Sequence, residues 1–202
     1  MRCNLGEVLI ISGAMLVGLP LPLLPLHILW INLVTDSFPA LALAAEPAEK
    51  GIMNRPPRGK NEGIFTGEWL LLSVAGVLSM VLGLGMFVIS LRQFPGDLPL
   101  ARSVALTASI LFQLLLAFST RTKKSVFTEW PWRNPWLLGA VSLSLLAQAA
   151  LLLTPLSVLF GVKAIPLNLC WVTLGAALSM FAIFELLKIA KNAYTEVTQR
   201  AV

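Results

Sequence analysis

Apolar positions in this chain run together in blocks rather than alternating with polar ones. Six stretches stand near residues 3–19, 26–45, 68–91, 101–118, 136–154 and 167–187. Each approaches the roughly 20 helical residues needed to cross a hydrocarbon layer of about 30 Å. A helix satisfies all its backbone polar groups within one segment, so isolated blocks of this length predict membrane helices. Proline, glycine or charged runs separate them, as in Leu19-Pro-Leu-Pro-Leu-Leu-Pro25. That turn is too short to hold a domain, so the first two helices are expected to be antiparallel neighbours. The pattern predicts an all-α membrane protein, a bundle of six transmembrane helices forming one polytopic domain over 1–202.

Composition agrees: 57% of residues are hydrophobic and 12% charged, outside the usual balance of a water-soluble domain. Of the 15 Lys and Arg residues, only Arg92, Arg102 and Lys163 fall on one side of this topology. The others precede the first helix, follow the sixth, or lie in 46–67 and 119–135. The positive-inside rule then puts both termini and those two loops in the cytoplasm. The net charge of +5 is used for topology and lipid headgroups, and no nucleic-acid partner is expected. A bacterial inner membrane is the expected location, since the loops are compact and no organelle retention signal ends the chain. The first helix has neither a charged leader nor a small-residue cleavage site, so it is not expected to be a cleaved signal peptide.

Candidate chemistry sits inside the first two blocks. Asn4 and Glu7 are three apart on a helix and share a face. Asn32, Thr35 and Asp36 stand at i, i+3 and i+4 and do the same. A charge at membrane depth costs about 2.5–3.5 kcal/mol or more, so these carboxylates call for a partner, a cavity or a cation. The five side chains offer oxygen ligands alone, a set suited to a hard cation such as calcium. Pro39 lacks an N–H and is expected to free the carbonyl of Thr35, four residues back. Gln113, mid-way along the fourth helix, is either a sixth ligand or a helix–helix hydrogen bonder.

Other polar positions have ordinary explanations. His27 is expected to be a solvated interfacial histidine. Gly76, Gly83 and Gly85 read as close-packing residues, and Gln148 as a hydrogen bond between helices. Glu185, ahead of Lys188 and Lys191, predicts a local ion pair at the membrane interface. Cys3 and Cys170 read as plain membrane-helix thiols, and Trp130, Trp132 and Trp136 as headgroup anchors.

Asn4-Leu-Gly-Glu7-Val8, Ile28-Leu-Trp-Ile-Asn-Leu-Val-Thr-Asp36, Pro39-Ala-Leu-Ala-Leu43, Glu46-Pro47 and Gly51-Ile-Met-Asn-Arg-Pro-Pro-Arg58 resemble type II P-type cation-transporting ATPases, calcium pumps above all. The likeness is most specific from Asn4 to Arg58. It continues through the order of helices and the loop from Ser125-Val-Phe127 to Trp136-Leu-Leu-Gly139. It implies the C-terminal membrane half of such a pump, its fifth to tenth helices. Asn4 and Glu7 then match the fifth-helix cation ligands, and Asn32, Thr35 and Asp36 those of the sixth. Gln113 stands where two-site calcium pumps carry a glutamate, which removes one charge from the second site. Retention of Glu7 sets the chain apart from single-site plasma-membrane calcium pumps, which lack it. Ser37 replaces a glycine common in calcium pumps, and Asn32-Leu-Val-Thr35 favours that group over sodium pumps. The resemblance also makes 46–67 a cytoplasmic coupling loop, with Arg55 and Arg58 as coupling residues.

No Asp-Lys-Thr-Gly-Thr stretch occurs in the chain, so by itself it is not expected to hydrolyse ATP. Calcium would be the transported ion. ATP and magnesium would act only through the actuator, phosphorylation and nucleotide-binding domains, which with four further helices would be its partners in the bilayer. Two alternatives stay open: a stand-alone, non-enzymatic six-helix cation binder, and a pump for sodium, potassium or protons. The first helix is expected to be short, about 15 residues or ~23 Å. Met1 is then an internal methionine, a mis-called start or a fragment boundary.

Overall fold

The computed structural model describes residues 2–44, 69–120, 126 and 134–200, with side chains between 4 and 193 of those ranges. Among the described residues every regular element is helical. The order is α1 (Arg2–Leu16), α2 (Pro25–Ile31), a π-helical turn (Asn32–Ser37), α3 (Phe38–Ala44), α4 (Trp69–Gln93), α5 (Leu98–Thr120), α6 (Pro135–Leu153), α7 (Leu156–Phe160) and α8 (Leu167–Arg200). Among the described residues five spans are long and apolar enough to cross a membrane: Pro25–Ala44, Trp69–Gln93, Leu98–Thr120, Pro135–Leu153 and Leu167–Ala193. The chain is an all-α, multi-pass membrane protein.

The sixth expected span, α1, is the short one, with its apolar part running from Asn4 to Leu16. Its end is built in locally. Gly18 takes a left-handed conformation (φ 69°), and the Leu19 N–H returns to the Ala14 carbonyl at 2.9 Å. This is a glycine-capped helix terminus. Pro20 and Pro22 keep the chain from resuming, and Pro25 then opens α2 at a position where a missing N–H costs nothing. α7 was not expected. It fits between Pro155 and Gly161, whose φ of 61° ends it in the same left-handed way.

α5 is the centre of the bundle. Val104, Ala105, Leu106, Ala108, Ile110 and Phe112 are all fully buried, so α5 is enclosed from several sides. α4 lies between α5 and α1. It meets α1 through small residues: a Cβ on Gly76 would strike Leu5, one on Gly83 would strike Ile10, and one on Gly6 would strike Ser79. Such positions let membrane helices approach closely. Gly85 is not one of them, since a Cβ there would meet open space.

Hydrogen bonds across the connections fix the two ends of the bundle. At one end, Lys163 Nζ donates to Asp97 Oδ2 at 2.9 Å and Arg102 Nε to the Leu21 carbonyl at 3.1 Å. At the other, Asn134 Nδ2 donates to the Ala42 carbonyl at 3.2 Å. Large apolar side chains such as Leu16, Leu146, Trp136, Trp171 and Leu186 stay exposed around the rim, which is the surface a bilayer solvates.

A candidate cation site around a π-helical turn

The site begins where the Pro25–Ala44 span leaves α-helical register. In a π turn each carbonyl reaches the N–H five residues on instead of four, and such turns recur at functional sites. Ser37 Oγ adds a bond of that spacing to the Asn32 carbonyl, at 3.1 Å. The wider register also moves the consequence of Pro39. The carbonyl five residues before Pro39 is that of Val34, whereas α-helical spacing pointed to Thr35. Val34's carbonyl is taken from outside: Ser144 Oγ, on α6, lies 2.6 Å from it and 3.0 Å from the Ala140 carbonyl.

Three predicted site residues are joined across three elements. Thr35 Oγ1 lies 2.8 Å from Gln113 Oε1, and Gln113 Nε2 donates to Glu7 Oε1 at 3.4 Å. Thr35, Gln113 and Glu7 are all buried. Gln113 on α5 thus bridges the wall made by α1 and the wall made by the π turn. Thr35 Oγ1 also sits 2.6 Å from the Ile31 carbonyl. Its single proton can serve only one of the two acceptors. With the proton on Ile31, the Gln113 amide oxygen and a Thr35 lone pair are both left able to accept from or coordinate another group.

Asn32 and Asp36 lie on the same turn and are half-buried. Asp36 is near enough to Glu7 for the two carboxylates to interact electrostatically. Asn4 occupies the exposed end of the α1 wall. Arg55 and Arg58, with the rest of 46–67, lie outside the described residues, as do Trp130 and Trp132. Among the described residues no three His, Cys, Asp or Glu side chains cluster as a metal site. The donor set here is two carboxylates completed by amides and a hydroxyl, which suits a cation in transit more than a resident soft metal.

Two polar residues depart from expectation. His27 is fully buried, not solvated. Its Nδ1 accepts from the Leu24 N–H at 3.1 Å, and Nε2 lies 2.7 Å from the Phe160 carbonyl, which fixes the neutral ring with its proton on Nε2. Phe160 sits on α7, and its ring stacks on His27. Glu185 does pair with Lys188, at 3.7 Å, but the pair is buried. Ser119 Oγ donates to Glu185 Oε1, the Val126 N–H donates to Oε2 at 3.1 Å, and Lys188 Nζ donates to the Ser119 carbonyl at 2.7 Å.

α6 supplies further contacts: Gln148 makes the hydrogen bonds between helices read from the sequence, while the roles of Asn134 and Ser144 were missed. Gln148 accepts from Trp30 Nε1 and donates to Thr107 Oγ1, both at 3.0 Å. Asn134 caps α6 by accepting from the Leu137 N–H at 3.0 Å while holding the Ala42 carbonyl. The available signal was the polar spacing Asn134, Ser144, Gln148 in a largely apolar helix.

Residues 20–190 match the family model described as "Cation transporting ATPase, C-terminus". The chain belongs to this family. It corresponds to the C-terminal membrane region of P-type ATPases, and its long apolar helices are transmembrane elements. The chain is similar to the calcium-transporting ATPase of Bacillus subtilis, 40% identical over 154 residues, which cover 75% of this chain and 17% of that protein. It is 30% identical over 209 residues to calcium-transporting ATPase 1 of Bacillus cereus, covering 95% and 24%. It is 34% identical over 187 residues to the probable cation-transporting ATPase F of Mycobacterium tuberculosis, covering 89% and 20%. The chain therefore spans about a fifth of the length of these relatives.

Proposed function

We infer that this chain is the cation-binding and translocating membrane part of an ATP-driven pump, with calcium as its cargo. The observation that carries this reading is the hydrogen-bonded chain Glu7–Gln113–Thr35, which links α1, α5 and the π turn beside Asp36. Oxygen donors alone, two of them carboxylates, suit a hard divalent ion. The names of two relatives, calcium-transporting ATPases, support the same ion, as does Asn32-Leu-Val-Thr35.

ATP would phosphorylate an aspartate in the remainder of the pump, which also brings the actuator and nucleotide-binding domains and four more helices. Segment 46–67, with Arg55 and Arg58, would couple that chemistry to the membrane. Movement of the helices would then pull the α1 wall and the π turn apart, breaking the Gln113 bridge. Glu7 and Asp36 would lose their shared cation and take up protons in its place. The charge distribution supports cytoplasmic termini, and the compact loops suit a bacterial inner membrane.

Asp36→Asn and Glu7→Gln in the intact pump test the assignment. Each removes one of the two carboxylates facing the cargo, so calcium-dependent phosphoenzyme should fall by at least tenfold at a calcium level that saturates the wild type, which takes about hundredfold weaker binding, about 2.8 kcal/mol. Unchanged phosphoenzyme in both variants would sink the site. Full activation by sodium or potassium without calcium would overturn the ion.

A further inference from the structure

We propose that Ser144 is a positioning residue for the cargo cation: its hydroxyl holds the Asn32–Ser37 turn in the register that aims Thr35 and Asp36 at Glu7. This rests on reading that cluster as the cation site. Three rungs tie α6 to the Pro25–Ala44 span. Trp30 meets Gln148 at 3.0 Å, Val34 meets Ser144 at 2.6 Å, and Ala42 meets Asn134 at 3.2 Å. Numbers rise on one strand of this ladder as they fall on the other, so the two helices run antiparallel in fixed register. The outer rungs hold stretches that are α-helical. The middle rung alone acts on the π turn.

The chemistry of that rung explains why it matters. Val34's carbonyl has no π-register donor, because the residue five places on is Pro39. A buried carbonyl left without a partner costs free energy comparable to a lost hydrogen bond. It has two escapes: a donor from outside, or a return to α register, in which the Phe38 N–H would serve it. A change of register by one residue re-aims a side chain by about 100°. Thr35 and Asp36 would then turn away from Gln113 and Glu7. Ser144 is fully buried, and of its two acceptors the Val34 carbonyl at 2.6 Å is nearer than the Ala140 carbonyl at 3.0 Å, so its one proton serves the rung and decides between the two registers.

The test is a cation titration of phosphoenzyme in the intact pump for wild type, Ser144→Ala, Ser144→Cys, Ser144→Thr and Asp36→Asn. Ser144→Ala should raise the half-saturating calcium concentration about fivefold to tenfold, the worth of one buried hydrogen bond, with the maximum level kept. Ser144→Thr restores the hydroxyl and should return the titration towards wild type. Ser144→Cys, a weak donor of similar shape, should fall between. Should the alanine variant not accumulate in membranes, the cysteine variant carries the same comparison. Wild-type half-saturation in Ser144→Ala, beside an inactive Asp36→Asn, would overturn the role of Ser144 and leave the site standing. A lowered maximum with unchanged half-saturation would make Ser144 a structural brace only, and also overturns it. An active Asp36→Asn would remove the site and the role of Ser144 with it.

Discussion

Among the described residues two glutamates are buried, and they are treated in opposite ways. Glu185 on α8 sits in a closed circuit: a hydroxyl from Ser119, an N–H from Val126 and the ammonium of Lys188, itself bound to Ser119. Glu7 on α1 has one long amide bond, 3.4 Å from Gln113, and a second carboxylate nearby. Asp36 makes no hydrogen bond to another described side chain. A buried charge surrounded by complementary groups is a structural element. A buried carboxylate left under-partnered beside another is a place prepared for something that arrives. The same residue type thus marks a joint at one end of the bundle and, on the proposed reading, cargo chemistry elsewhere in it.

Neutralising the two glutamates separately is the strongest way to break this contrast. Glu185→Gln takes a carboxylate away from the buried Lys188 ammonium, and removing one partner of such a pair costs about 3–5 kcal/mol. The intact protein in detergent should lose thermal stability markedly. Glu7→Gln keeps shape and can keep the Gln113 bond while removing a charge from low dielectric. Its melting temperature should hold or rise. Equal losses in both variants would show that Glu7 is a structural joint as well, and the distinction would fall.

Thr35→Val sharpens the same comparison at a smaller scale. Valine keeps the shape but leaves the Gln113 amide oxygen without its hydroxyl donor, a cost of about 1–2 kcal/mol. Half-saturating calcium in the intact pump should rise about tenfold, since Thr35 would also be lost as a ligand. A fall in melting temperature with wild-type calcium dependence would assign Thr35 to packing alone.

Much of this arrangement was legible in the chain. Long apolar blocks announced the spans, because membrane helices need length and little else. Asn32, Thr35 and Asp36 shared a face by spacing alone, and the turn keeps Thr35 on Gln113. The gaps come from contacts distant in sequence. His27 read as solvated because its partner, the Phe160 carbonyl, is 133 positions away. Glu185 read as interfacial because Ser119 and Val126 come from another helix and the loop beyond it. Pro39 announced a freed carbonyl, but which carbonyl depends on the π register, and the Val34 carbonyl that this register frees is met by Ser144, 110 positions beyond Val34. Local spacing predicts faces; only packing decides what those faces meet.

The smallest expected effect lies at the exposed end of the bundle, with the Asp97–Lys163 pair at 2.9 Å. The hydrogen bond from Lys163 holds the Asp97 carboxyl below its ordinary range. A carboxyl depressed in the folded state stabilises the fold above its unfolded value of about 3.9, and that contribution is lost as pH falls through the folded value. Lys163 is well exposed, so water and salt screen the pair, and such pairs are worth less than about 1 kcal/mol. A double-mutant cycle with Asp97→Asn and Lys163→Gln, read by thermal unfolding, should show weak coupling that is level from neutral pH to about pH 4 and shrinks below it. Coupling that matched the loss in Glu185→Gln would contradict the rule drawn from the two glutamates, because a pair open to water would then be worth as much as one sealed from it.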